Sequence, residues 1–173
     1  MLFDFFFRNR IIKRFLLCAV VALSLAACSS IDCSLNGTVL CHYALQTADG
    51  EAATLVYPLS VTFNRRTEFG DTVYIDRLKD ASMIDLPMSY DSDIDDITLT
   101  LYIDSTHTVS DEIHVTKTNE PYFESVDCAP RYNHVLQEVT HTTNFIKEVI
   151  ISNPEVKNNV TDTNILIRIA DAD

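Results

Sequence analysis

A chain of 173 residues with 13 Lys and Arg against 25 Asp and Glu carries a formal charge of −12 at pH 7, and 47% of its residues are hydrophobic. That length suits one domain with a core of ordinary size. An acidic surface repels phosphate backbones and anionic head groups, which excludes nucleic acid from the expected partners.

Residues 1–27 read as a secretory signal. Arg8, Arg10, Lys13 and Arg14 form a basic start, and 15–27 form an apolar stretch ending in small residues. Such a stretch is too short to span a bilayer, which takes about 20 residues, so export and cleavage are expected. Leu25-Ala26-Ala27-Cys28 resembles the lipobox of bacterial lipoprotein precursors. The expectation is a cut before Cys28, diacylglycerol on its thiol and an acylated amino group, and two lipid signals are what stable anchoring requires. Removal of 1–27 takes four basic residues and one acidic residue, leaving 146 residues with a net charge of −15. Lipid on Cys28, not charge, then holds the protein to a bilayer. The expected organisation is a signal over 1–27, a lipidated tether over 28–32 and one domain over 33–173. Cys18 leaves with the signal and Cys28 carries lipid, so Cys33, Cys41 and Cys128 provide one bridge and one leftover thiol in an oxidising compartment.

Beyond the tether the dominant pattern is alternation. Leu55, Tyr57, Leu59, Val61 and Phe63 alternate with Thr54, Val56, Pro58, Ser60 and Thr62, and Ile97, Leu99, Leu101 and Ile103 alternate with Thr98, Thr100, Tyr102 and Asp104. Nine strands are predicted in chain order, at 39–46, 54–63, 72–76, 83–88, 97–104, 112–117, 132–142, 146–151 and 164–170. Pro58 cannot donate to a ladder, which places the second strand at an edge or gives it a bulge. Gly37, Gly50 and Gly70 fall between apolar runs, where turns are expected. Short threonine-rich strands without a helix predict an all-β fold, a single antiparallel β-sandwich of immunoglobulin-like or related type, with a small β-barrel as the alternative.

The stretch Asn119-Glu120-Pro121-Tyr122-Phe123-Glu124-Ser125-Val126-Asp127-Cys128-Ala129-Pro130 stands out. Together with 31–39 after the lipobox, Leu86-Pro87-Met88-Ser89-Tyr90 and Ile150-Ile151-Ser152-Asn153-Pro154, it resembles a family of Bacteroidota lipoproteins catalogued as a domain of unknown function. The resemblance covers nearly all of the chain after the signal. It implies location and fold but no activity. It also implies that the two Asp-Cys positions, Cys33 and Cys128, form the disulfide, with Cys41 as the odd thiol and Cys33–Cys41 as the alternative pairing. A bridge closing roughly 95 residues would constrain the unfolded chain by about 4.7 kcal/mol on the entropy model. With Cys33 bridged, the four residues 29–32 let the tether reach at most about 18 Å, so the domain is expected close to its membrane.

Residue patterns for chemistry are sparse. Asp91-Ser92-Asp93-Ile94-Asp95-Asp96 offers Asp91, Asp93 and Asp95 as calcium candidates. It lacks the loop glycine and twelfth-position glutamate of an EF-hand, where Tyr102 stands, so a solvated acidic turn is the favoured reading. His107 and His114, like His134 and His141, are seven residues apart, an odd separation that puts them on opposite faces of a regular strand and opposes a zinc site. Ser125 lacks a glycine-flanked elbow, and the neighbours Cys41 and His42 face opposite ways on a strand. Glu124 and Asp127 are the carboxylates that a hydrolase of envelope glycan or peptide would use. Asp71-Thr72-Val73 and Asp104-Ser105-Thr106 resemble an O-glycosylation sequon of exported bacterial proteins, making Thr72 and Ser105 candidate acceptors. No cofactor is expected. The favoured reading is a non-catalytic binding or assembly accessory with an envelope protein or glycan as partner. Ser29-Ser30-Ile31-Asp32 lacks an acidic run resembling a surface-export signal, which favours the periplasmic face of the outer membrane. The rivals are the hydrolase and a calcium-dependent binder.

Overall fold

The computed structural model describes residues 33, 39–64, 70–158 and 160–170. The signal expected over 1–27 and the tether expected over 28–32, Cys28 included, lie outside the described residues, as does most of the 31–39 stretch. The chain divides into two units, Met1–Cys33 and Ser34–Asp173, and all the strands belong to the second. They are β1 (Leu40–Gln46), β2 (Leu59–Phe63), β3 (Thr72–Leu78), β4 (Met83–Pro87), β5 (Ile94–Tyr102), β6 (Thr108–Tyr122), β7 (Arg131–His141), β8 (Ile146–Ile151), β9 (Glu155–Val156) and β10 (Ile165–Ile169).

The strands form two sheets, ordered β4-β1-β10-β8 and β3-β2-β5-β6-β7-β9. Every neighbouring pair is antiparallel except β1 and β10, which run parallel with Tyr43 opposite Ile165. The fold is therefore an all-β sandwich, with one sheet curled as a half-barrel.

Alternation places the core. Cys41, Tyr43 and Leu45 of β1, Ile97, Leu99 and Leu101 of β5, and Ile113 and Val115 of β6 are all buried, while the residues between them reach the surface in whole or part. Ile84 and Leu86 of β4 and Ile165 and Ile167 of β10 complete the opposing face. Each fully buried aliphatic side chain contributes about 1.5–3 kcal/mol of transfer free energy, so these inner faces hold the two sheets together.

The structure corrects several expectations. Among the described residues there are ten strands, not nine, because the two-residue β9 pairs with His134 and Val135 of β7. The second strand does not start at 54. Pro58 ends the irregular segment before it, and β2 then lies between β3 and β5 as an inner strand, with its irregular register against β3 rather than an exposed edge. The strand expected at 112–117 extends over Thr108–Tyr122. Pro121 is accommodated because β5 pairs with β6 only from Tyr102↔Thr108 to Ile94↔Thr116 and the Lys117 N–H bonds to the Asp93 carbonyl at 2.9 Å just before β5, which leaves that side of residues 118–122 without a ladder to complete. Gly50 sits at φ 87, a conformation glycine adopts without strain, in the turn where its N–H bonds to the Thr47 carbonyl at 3.0 Å.

Candidate functional site

The period that buries Ile97, Leu99 and Leu101 also turns Asp95 inward, and the period that buries Ile113 and Val115 does the same to Asp111 and Lys117. A buried charge is costly unless paired and hydrogen-bonded, so the partners of these three groups define the polar interior.

Lys117 is fully buried. Its Nζ lies 3.5 Å from Asp95 Oδ2 and donates to Ser89 Oγ at 3.2 Å and to the Ser92 carbonyl. Asp95 in turn accepts from the Ser89 hydroxyl and from the Ser89 N–H at 3.3 Å. Burial pushes the Asp95 carboxyl above the usual carboxylate range, with the Ser89 hydroxyl and the Lys117 ammonium opposing that rise. One step along β6, Asn119 Nδ2 donates to the Ser92 carbonyl at 3.0 Å and to Asp93 Oδ1 at 3.1 Å, while Asn119 Oδ1 accepts from His134 Nδ1 at 2.8 Å. Burial and the nearby Lys117 charge lower His134 to about 4, which keeps the ring neutral near pH 7. These bonds tie the 88–93 loop to β6. The Ser89 hydroxyl donates to Asp95 and accepts from the Lys117 ammonium, so it is held between the two charges.

Asp111 holds a second junction. Its Oδ1 accepts from Thr142 Oγ1 at 2.5 Å and from the Asn144 N–H at 2.8 Å, and its Oδ2 accepts from the N–H groups of Phe145 at 2.7 Å and Ile146 at 2.8 Å. Burial raises this carboxyl, but the bonds from Thr142, Asn144, Ile146 and Phe145 outweigh it and bring the group below the ordinary range. The segment it grips carries the chain from β7 in one sheet to β8 in the other. At a third junction, Asn164 Oδ1 accepts from the His42 N–H at 3.1 Å and Asn164 Nδ2 donates to the Glu155 carbonyl at 3.0 Å. His42 Nδ1 lies 2.6 Å from Asp85 Oδ1, and its Nε2 lies 3.0 Å from the Val160 carbonyl.

The residues singled out from sequence are distributed among these junctions. Asp91, Asp93 and Asp95 do not share a focus: Asp93 accepts from Asn119, and Asp95 is buried against Lys117. The acidic stretch is thus only partly solvated, because Asp95 falls on the inward face of β5. Among the described residues no group of three or more His, Cys, Asp and Glu side chains is placed to hold a metal ion. His114 pairs with Asp96 at 2.6 Å, His141 lies 2.7 Å from the Thr142 carbonyl, and His107 is on the exposed turn after β5. Cys41 points inward and His42 outward. Burial pushes the Cys41 thiol up to about 12 despite a hydrogen bond from Tyr43, which removes its nucleophilic form near pH 7. Glu124 lies 3.0 Å from Arg131, and Asp127 is exposed in the 123–130 loop. Thr72 and Ser105 are both exposed, one at the start of the edge strand β3 and one on the turn between β5 and β6.

Cys33 and Cys128 are both disulfide-bonded, and Cys41 is free. This supports the Cys33–Cys128 pairing and removes Cys33–Cys41.

Comparison with known families adds one result. A family of unknown function, DUF6452, matches residues 59–169. The chain belongs to DUF6452. The DUF6452 match opens on Leu59, the first residue of β2, and closes on Ile169, the last of β10, so it contains the Asp95–Lys117 and Asp111 junctions and leaves β1 outside. No curated protein and no solved structure matches the chain.

Lys117, Asp111, Ser89 and Asn164 are not among the site residues expected from sequence. The first two carried a usable signal, since 111, 113, 115 and 117 share one parity on β6.

Proposed function

We propose that the chain is an exported lipoprotein, cut before Cys28 and held by lipid on the periplasmic face of the outer membrane, where the sandwich serves as a non-catalytic binding or assembly accessory for an envelope protein or glycan. The observation that carries this reading is the disulfide-bonded state of Cys33, a few residues beyond the lipobox, and of Cys128. Such bridges persist in oxidising compartments, and this one follows directly on an export signal. The non-catalytic part is supported by how the inward charges are used, since Asp95, Lys117 and Asp111 join loops to strands. The Bacteroidota resemblance belongs to the same reading. Thr72 and Ser105 are proposed as exposed acceptors of O-glycans.

Detergent phase partitioning of the native protein tests the anchor. The full chain, expressed in its own envelope, is expected in the detergent phase, and a chain whose residues 1–28 are replaced by a cleaved, non-lipidated signal is expected in the aqueous phase, a shift of more than tenfold. Recovery of both in the aqueous phase would remove the lipid anchor. Protease added to intact cells is expected to leave the domain whole, and its digestion would move the protein to the outer face.

A further inference from the structure

Toward its tip the β6–β7 hairpin outruns β5 on one side, while β9 pairs with His134 and Val135 on the other. β5 accompanies β6 as far as Thr116, whereas β7 accompanies it to Tyr122, so 117–122 and 131–136 form an arm beyond the first residue of β5. The 88–93 loop braces the arm through Lys117 and Asn119, and Tyr90 stacks on Tyr132 with ring centroids 5.4 Å apart. At the tip, in the 123–130 loop, two large apolar side chains lie outside the core: Phe123 is 64% exposed and Val126 is 96% exposed. Cys128, one of the two disulfide-bonded cysteines, is in the same loop.

We propose that this tip, led by Phe123 and Val126, is a second membrane contact that seats in the interfacial layer of the bilayer holding the lipid on Cys28. The inference rests on the lipoprotein reading above. Five Cα steps separate Cys28 from Cys33 and span at most about 18 Å, and a disulfide adds at most about 7 Å between Cα atoms. Cys128 is therefore held within about 25 Å of the lipidated residue, and Val126 is two residues from it. Among the described residues, this apolar loop is the one tied to the anchor by covalent bonds. Its chemistry suits the interface: Phe123 and Val126 supply apolar area, the Tyr90–Tyr132 stack supplies amphipathic rings of the kind found at head-group depth, and Arg131 at 3.0 Å offsets the charge of Glu124. Exposed Asp127 and the acidic domain favour a zwitterionic surface over an anionic one.

The natural chain contains no tryptophan, so Phe123→Trp and Val126→Trp each introduce a single fluorescent reporter. Ser105→Trp, on the turn at the opposite end of β6, is the control. The lipidated full-length variants are placed in phosphatidylcholine vesicles, one set carrying bromine on the acyl chains. Both tip indoles are expected to lose at least half of their emission to the brominated lipid and to gain several-fold protection from aqueous acrylamide, while the Ser105→Trp indole changes little. Tip indoles as open to acrylamide as the control, in protein whose intact mass shows lipid on Cys28, would overturn the membrane contact and leave the anchor standing. An intact mass without lipid would overturn the anchor and the tip contact together. Protection that grows with protein concentration in lipid-free detergent would assign the tip to a second copy of the chain and also overturn the proposal.

Discussion

Asp111→Ala is expected to lower the stability of the domain by about 3–5 kcal/mol, and its melting temperature by roughly 10–15 °C. The reason is the number of donors that one carboxylate serves. The Phe145 and Ile146 N–H groups are buried with Asp111 as their acceptor, and Thr142 and Asn144 turn toward it as well. A buried donor left without a partner costs about 1–3 kcal/mol, and the contributions do not add fully. Asp111→Asn keeps one acceptor oxygen but aims an amide N–H₂ at donors, so it is expected to recover less than half of the loss. The pH dependence follows from the lowered carboxyl. Its contribution is fully present above the unfolded value of about 3.9 and disappears as pH falls through the lower folded value, so the gap between wild type and Asp111→Ala should narrow only in strong acid. Thermal melts of both proteins from pH 7 to pH 2 measure it, and a gap that does not change with pH would mean that Asp111 acts by shape alone.

Lys117→Met is expected to cost a similar amount, about 3–5 kcal/mol, because it strands the Asp95 carboxylate in the interior. The double substitution with Asp95→Leu separates the pair from its surroundings. Replacing both charges by apolar groups is often neutral, so the double variant should be more stable than Lys117→Met, recovering at least half of the loss. What it should not recover is the position of the 88–93 loop, whose Ser92 carbonyl accepts from Lys117. Asp95 also has a pH signature opposite to that of Asp111. Its folded value is raised, so its favourable term is present below about 3.9 and is lost as pH rises through the raised value. Denaturant melts of the two single variants and the double complete the cycle. A double variant no more stable than Lys117→Met would show that the lysine acts through Ser89 and Ser92, not through Asp95.

These two junctions mark where the sequence was readable and where it was not. The stretches 39–46 and 83–88 lie within one residue of β1 and β4, because these half-buried strands carry their burial in every second side chain, and the apolar run at 146–151 coincides with β8 although its burial does not alternate. β9 carries no such record: two residues are too few to alternate, and Val156 is buried only by pairing with a distant strand. The parallel pairing of β1 and β10 joins residues about 120 apart, and no local pattern specifies it. Asp111 and Lys117 lie in phase with Ile113 and Val115, yet charged residues are ordinarily placed outside. The acceptors and donors that make them tolerable, namely the backbone of 144–146 and of Ser92, leave no trace in side-chain identity. Cys33–Cys128 came from the family resemblance and not from spacing, since three thiols admit more than one pairing.

We propose that lipid on Cys28 is fastened to the β6–β7 hairpin through the Cys33 disulfide. Non-reducing peptide mapping by mass spectrometry of the protein extracted from its own membrane tests it most directly. The expected product is a peptide that begins at Cys28, carries diacylglycerol and acyl chains, and is joined through Cys33 to the peptide containing Cys128, separating from it on reduction. A chain that begins upstream of Cys28, or a Cys128 peptide recovered without a partner before reduction, would contradict it.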